Sequence, residues 1–292
     1  MEYTTLANDL KMPLLGLGTF MISPADAEAS VYKALKNGYR LIDTANAYMN
    51  EAAVGKAMKR AMEEGIVKRE EIFLSTKLWP ALYESDTAVD ETLVRLGTDY
   101  IDLLFIHQPA GNFTAGYAKI ETAYKAGKAR SLGISNFHGE KLECLLAEAE
   151  VKPHVIQLET HPYHIDHAVM KRLASYGTRL MGWYALGHGD TTLLEEPIFL
   201  ELADKYRKST VQIILRWAVQ RGFITIPGTK NPDHIRANFD IFDFVLTEAE
   251  MTEIAKLDGK KRYYTPDDAT EEKYASMQLL SLIHISEPTR PY

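Results

Sequence analysis

The chain has 292 residues, one cysteine and a formal net charge of −7. That length suits one or two domains, or a single closed α/β barrel of roughly 250 residues that needs no staples. A lone Cys144 excludes an internal disulfide, the acidic balance without a basic stripe argues against nucleic acid, no apolar run spans a bilayer, and MEYTTLANDLKMP is too polar for a signal peptide, so the expectation is a cytoplasmic monomer.

TLANDLKMPLL predicts two short extended pieces turning at Asn8-Asp9, and LLGLGTF a strand ending in Gly18-Thr19. Ser23-Pro24 starts a helix whose apolar face is Val31, Ala34 and Leu35, and Asn37-Gly38 stops it. In GYRLIDTANAYMNEAAVG, Leu41 and Ile42 run into Asp43, Tyr48 lies on the following loop, and Glu51, Val54 and Met58 open a new helical period. Ile72 to Ser75 predicts a strand ending in Thr76-Lys77, followed by a helix carrying Val89, Leu93 and Leu96. Ile101 to Ile106 is a strand ending in His107, with a helix from about Ala115 to Ala126. Ser131 to Ile134 ends in Ser135-Asn136, with Leu142, Leu145 and Leu146 on the next helix. Val155 to Leu158 contains Gln157, and Val169 and Leu173 follow on a helix. Leu180 to Trp183 leads into the glycine-rich LGHGD, then helical segments near Ile198–Tyr206 and Thr210–Arg221. Phe223 to Ile226 ends in Pro227-Gly228, and Asn231-Pro232-Asp233 starts another helix.

Alternating strands and helices imply parallel strands joined by crossovers. Eight short apolar strands predict a (β/α)8 TIM barrel, with the N-terminal hairpin closing its bottom. An open doubly wound sheet is the alternative. It calls for a G-x-G-x-x-G turn, and Gly16 and Gly18 have no third glycine at the required place.

In a barrel every strand's C-terminal end opens on one face. Asp43, Lys77 and His107 end three consecutive strands, and Tyr48 lies between the first two. Such a set can protonate a carbonyl oxygen as hydride reaches the carbon, with no metal. Tyrosine is a weak acid, with a reference pKa of about 10. An ammonium within about 4 Å stabilises phenolate by up to roughly 4 kcal/mol at an effective dielectric near 20. That lowers the tyrosine pKa by up to about three. Asp43 would hold Lys77 charged, and His107 would orient the substrate oxygen.

GYRLIDTANAYMNEAAVG, STKLW, LLFIHQP and LGISNF resemble, in order and spacing, the signature segments of the aldo-keto reductases, over about Thr5 to Met277. The chain is similar to their 2,5-diketo-gluconate reductase-like branch. The resemblance implies a barrel that reduces aldehydes and ketones with NADPH, sometimes NADH. It makes Tyr48 the general acid of a tetrad with Asp43, Lys77 and His107. It makes Ser135, Asn136 and Gln157 the nicotinamide carboxamide contacts and Trp183 the aromatic stacked on that ring. Gly18, Thr19, Asp43, Leu186, Gly228, Thr229, Lys230, His234 and Asn238 complete the implied cofactor site. Phe20, Trp79, His107 and Trp183 wall the implied substrate pocket. Two basic residues that usually contact the 2′-phosphate are replaced, by Gly228 and His234, which weakens the NADPH default towards dual or NADH-tolerant use. Lys230 or Arg236 can replace the lost charge, with Asp233 opposing it. Gln108 stands where the family usually has Trp.

YKALK at Tyr32 to Lys36 mimics the Y-x-x-x-K pair of short-chain dehydrogenases, but sits on an amphipathic helix with no phosphate loop before it. HPYHIDH, His161 to His167, looks like a metal cluster, yet HPY follows this strand in many aldo-keto reductases without metal. Cys144 is expected on a helix's inner face and Glu195-Glu196 in a solvated loop. LSLIHISEPTRPY, from Leu280, resembles a translated sequencing-library adapter. The expected barrel domain is therefore 1–279, with a non-native tail at 280–292. Two rival functions are a cofactor-binding accessory module with little turnover and a phosphate-sugar isomerase. All four tetrad residues are present, which disfavours the first. No carboxylate base serves LGHGD, which disfavours the second.

Overall fold

A computed structural model describes residues 1–265 and 267–277. The expected boundary at 279 and the tail at 280–292 lie outside these residues. Ten strands are present among them, β1 (Tyr3–Thr5), β2 (Lys11–Pro13), β3 (Gly16–Gly18), β4 (Leu41–Asp43), β5 (Phe73–Leu78), β6 (Leu103–Ile106), β7 (Leu132–Ser135), β8 (Val155–Glu159), β9 (Arg179–Trp183) and β10 (Ile224–Thr225). β3 to β10 form one eight-stranded parallel sheet in sequence order. Parallel bridges Leu15 to Thr225 and Gly18 to Gly228 join its edges, so the sheet closes as a (β/α)8 barrel. Little more than backbone fits at that seam, because a Cβ on Gly18 would lie 2.7 Å from Ile226 O.

β1 and β2 pair antiparallel, turning at Asp9 with φ 65°. Arg179, which starts β9, donates to Thr5 O at 3.1 Å, so the hairpin covers the end of the barrel opposite the strand C-termini. The buried Leu6 and Met12 seal that end. Helices then follow the strands because their apolar stripes need a surface to cover. Glu51–Glu63 buries Val54, Met58 and Ala61, and Ala88–Leu96 buries Leu93 and Leu96.

Several boundaries differ from expectation for physical reasons. β5 runs on through Lys77 to Leu78, and Ser135 lies inside β7, so two site residues sit on strands rather than after them. Their backbones are thereby held by ladder pairing rather than left in loops. β10 is only two residues long, since Pro227 ends the ladder. LGHGD forms a tight turn over Gly187–Gly189 and leads to a short helix, Thr191–Leu194. Helices Glu248–Ala255 and Asp268–Ser276 were not anticipated. Cys144 is exposed, not inward, because Leu142, Leu145 and Leu146 take the inner face of Gly139–Glu148. Glu196 is not a free solvated carboxylate, as it accepts from Tyr163 Oη at 2.7 Å.

Candidate active site

Strand register builds the centre. Asp43 lies opposite Ser75 across β4 and β5, and Ser75 Oγ donates to Asp43 Oδ1 at 2.7 Å. Lys77 is two residues further along β5 and so faces the same way. Its Nζ donates to Asp43 Oδ2 at 2.6 Å and to Thr44 O at 2.8 Å. Lys77 is wholly buried, and its long stem lies within the barrel. Burial works against the ammonium and holds its pKa below the ordinary lysine value, while Asp43 restores part of the charge. A buried cation of this kind persists only because carboxylate and carbonyl oxygens surround it.

Tyr48 ends a tight turn over Asn46–Tyr48, followed by Met49 in the left-handed region at φ 57°. The turn is pinned by Asn50, which accepts from Thr44 Oγ1 at 2.8 Å and donates to Thr19 O at 2.9 Å and Ile22 O at 3.0 Å. Lys77 Nζ lies 5.1 Å from the Tyr48 ring centre. The His107 ring is 5.6 Å from that of Tyr48, edge-on. The four residues Asp43, Tyr48, Lys77 and His107 therefore converge.

The expected depression of the Tyr48 pKa is corrected by the structure. Burial pushes the phenol well above the usual tyrosine range, and Asp43 adds to the effect. Lys77 is already closed onto Asp43, so the phenol faces a nearly neutral pair rather than a bare cation. Burial, and secondarily Lys77, also drives His107 well below the ordinary histidine value, so the imidazole is neutral. Its Nδ1 is buried with no partner among the described residues. A bare ring nitrogen tolerates that better than an orphaned N–H, which favours the tautomer with the proton on Nε2.

Three polar groups line the next strands. Ser135 and Gln157 are opposite each other in β7 and β8. Gln157 Nε2 is a buried donor without an acceptor among the described residues. Asn136, at φ 64°, donates from Nδ2 to Gln108 Oε1 at 3.1 Å and accepts from Trp183 Nε1 at 3.1 Å. Thr19 turns its hydroxyl inward to Asp43 O at 3.0 Å. Leu186 is half-buried beyond Trp183, and Asn238 is buried on the helix Pro232–Phe239.

At the far end of the cleft Gly228 and His234 are exposed, and Thr229 Oγ1 accepts from Asn231 N at 3.1 Å. Both remaining cations there are already paired. Lys230 Nζ lies 3.4 Å from Asp26 Oδ2, and Arg236 Nη2 3.0 Å from Asp233 Oδ1.

Aromatic rings surround the mouth. Phe20, 52% exposed, lies 5.1 Å from Tyr48, and Trp79 lies 5.1 Å from His107. Tyr274 packs 5.3 Å from Trp79, and Tyr264 5.1 Å from Trp183. Trp79 Nε1 donates to Met277 O at 3.1 Å. Tyr264, Tyr274 and Met277 escaped sequence reasoning, because no local pattern says that the C-terminal segment returns over the barrel mouth. Glu159 fastens that segment, accepting from Tyr263 N at 2.6 Å and Tyr264 N at 2.8 Å. Two of the three histidines of HPYHIDH face carboxylates: His161 Nε2 lies 2.9 Å from Glu159 Oε1, and His167 Nε2 2.7 Å from Asp258 Oδ2.

Fold and site together define a (β/α)8 barrel with buried polar side chains gathered at the strand C-terminal ends beneath a rim of aromatic rings. The sequence model described as Aldo/keto reductase family matches residues 14–259. A glyoxal reductase of Bacillus subtilis is 40% identical over 262 residues, covering 88% of this chain and 93% of that protein. An NAD(P)H-dependent D-xylose reductase of Candida tropicalis is 34% identical over 305 residues, covering 90% and 94%. The crystal structure of a Bombyx mori aldo-keto reductase in complex with NADP superposes with a TM-score of 0.82 at 32% identity, covering 89% and 94%. The chain belongs to the aldo/keto reductase family and is an oxidoreductase.

Proposed function

We propose that this protein reduces small aldehydes and ketones to alcohols, using a nicotinamide cofactor and Tyr48 as proton donor. The observation that carries the reading is the convergence of Tyr48, His107 and the Lys77–Asp43 pair beside Gln157, a buried amide donor with no acceptor of its own. Gln157 Nε2, with Ser135 and Asn136, suits a carboxamide, and Trp183 offers the adjoining ring face. A reduced nicotinamide bound there supplies hydride to the carbonyl carbon. His107 Nε2 donates a hydrogen bond to the carbonyl oxygen and orients it. Tyr48 gives its proton to that oxygen as negative charge develops, since an alkoxide is a far stronger base than a phenolate. Lys77 then faces the phenolate and stabilises it. The aromatic wall keeps water from the reacting groups.

At the adenosine end, Asp26 and Asp233 already occupy the two nearby cations, so a 2′-phosphate must compete with carboxylates. The reading is therefore dual cofactor use, with NADPH preferred over NADH by less than about a hundredfold. The names of the relatives, glyoxal reductase and xylose reductase, favour small polar carbonyl compounds as substrates. A cytoplasmic monomer remains part of the proposal. Among the described residues no helix is long and apolar enough to cross a membrane.

The test follows oxidation of NADPH and NADH against a panel of aldehydes, with Tyr48→Phe alongside. Loss of a general acid costs about 10²- to 10⁴-fold in kcat. Cofactor affinity should change little. Tight cofactor binding without turnover of any carbonyl would instead identify a binding module.

A further inference from the structure

Strand β6 ends at Ile106, and the next two residues, His107 and Gln108, lead into Pro109. The His107 amide still bonds along the ladder, donating to Leu78 O at 2.9 Å. Gln108 lies past the ladder, and a residue before proline is held extended. An extended residue turns its N–H and C=O to the same side, where a neighbouring strand would take both. Here one atom does so. Tyr83 Oη accepts from Gln108 N at 2.9 Å and donates to Gln108 O at 2.8 Å. Gln108 is 7% exposed, so leaving either backbone group unpaired there would be costly. The phenol is itself wedged in place. Tyr83 follows the tight turn Pro80–Leu82 and is wholly buried, and a Cβ on Gly116 of helix Phe113–Lys125 would lie 2.6 Å from its Cγ. The His107 ring needs such an anchor, because its Nδ1 has no hydrogen-bond partner among the described residues. Its position comes from its backbone and from the Trp79 and Tyr48 rings packed against it.

We propose that Tyr83 is a positioning residue for carbonyl reduction, whose hydroxyl fixes the peptide after His107 and so sets the imidazole against the reacting oxygen. This rests on the carbonyl-reductase reading above and deepens it. Tyr83 touches neither substrate nor cofactor in that reading and acts through one residue of backbone. The loop after β5 then sets the orienting group from two sides, with the Trp79 ring against the imidazole and the Tyr83 hydroxyl behind it. A phenylalanine at position 83 keeps the packed ring and deletes only the oxygen. Gln108 N–H and C=O are left unpaired, and the turn shifts to recover partners, carrying His107 with it. A displacement of about 1 Å costs up to roughly 10²-fold in a reaction that depends on alignment.

The experiment measures hydride transfer in a single turnover, mixing NADPH-loaded enzyme with 4-nitrobenzaldehyde, so that slow product release does not mask the step. Cofactor Kd and Tm are measured alongside. Tyr83→Phe is compared with Tyr117→Phe. Tyr117 is also buried and donates from Oη to a backbone carbonyl, Val151 O at 2.8 Å, ahead of β8 at the end of the barrel away from the site. A merely structural role moves Tm in both variants and the transfer rate in neither. The expected result is a fall of about ten- to hundredfold in the transfer rate of Tyr83→Phe, with cofactor Kd unchanged and Tyr117→Phe at the wild-type rate. An unchanged rate in Tyr83→Phe overturns the proposal. So does an equal fall in both variants, or a weakened cofactor Kd with the transfer rate kept. Should Tyr83→Phe not fold, Gly116→Ala takes its place, since it keeps the hydroxyl and displaces its ring, and the same outcomes decide. Wild-type protein that transfers hydride to no aldehyde would fail the parent reading instead.

Discussion

At the residue scale the chemistry rests on a division of charge. The Lys77 ammonium and Asp43 carboxylate cancel each other at 2.6 Å, and Tyr48 and His107 are both neutral beside them. A donor that stays protonated across the ordinary pH range gives a flat profile. Tyr48 is raised above its usual value, so its proton is lost only above about 10. His107 is lowered, so it gains a second proton only well below about 6.5. We therefore expect kcat/KM for carbonyl reduction to be level from about pH 6.5 to 9. A titrating limb inside that window, measured with saturating cofactor, would contradict the assignment of either group. Asp43, Lys77 and His107 were legible from the sequence as strand-end residues, and Tyr48 as the loop residue between the first two of those strands. The direction of the Tyr48 shift was not, because it depends on how deeply the phenol is buried and on which oxygen already holds Lys77.

At the element scale, two neighbouring helices of the barrel sit as close as one glycine permits. A Cβ on Gly55, in helix Glu51–Glu63, would lie 2.4 Å from Leu96 O on the neighbouring helix. That atom is backbone, so the helices must separate. Beside it the buried Glu51 accepts from Thr76 Oγ1 at 2.6 Å and from Arg95 Nε at 2.7 Å, tying this helix to β5 and to helix Ala88–Leu96. Gly55→Ala should destabilise by about 1–3 kcal/mol despite its better helix propensity. Thermal unfolding should show a fall of roughly 2–4 °C per kcal/mol for a chain of this size. An unchanged or higher Tm would show that the helices can part without cost. The strands and most helices could be read from apolar periodicity. Glycine marks in the sequence do not separate a turn, as at Gly38 with φ 97°, from a close helix crossing, as at Gly55.

For the whole molecule, alkali is the informative stress. Tyr39, Tyr48, Tyr83 and Tyr117 all have their ionisation raised, burial being the largest cause in each. The unfolded chain loses these protons near pH 10, whereas the folded chain keeps them. Protons bound are then fewer in the unfolded state, and stability falls as pH rises. It should be intact below about pH 10 and decline above it by up to about 1.36 kcal/mol per pH unit for each such tyrosine. Denaturant unfolding at pH 9, 10 and 11, with phenolate absorbance followed in parallel, tests this. Early phenolate absorbance from all tyrosines before unfolding would show that the four are not shielded.

What the sequence by itself determined was periodic and local. Apolar runs of four to six residues, separated by amphipathic helices, specify parallel strands, and the polar residue ending each run marks the reactive face. Even the chain's departures, Gln108, Gly228 and His234, stood out as single letters. What only the tertiary structure decided was non-local. Register set Ser75 beside Asp43, the returning C-terminal segment brought Tyr264 and Tyr274 to the mouth, and Asn136 came to bridge the Gln108 amide and the Trp183 indole. The physical reason is the same in each case. Hydrophobic patterning fixes which face a residue takes, but hydrogen-bond partners and burial depend on side chains brought together from distant parts of the chain.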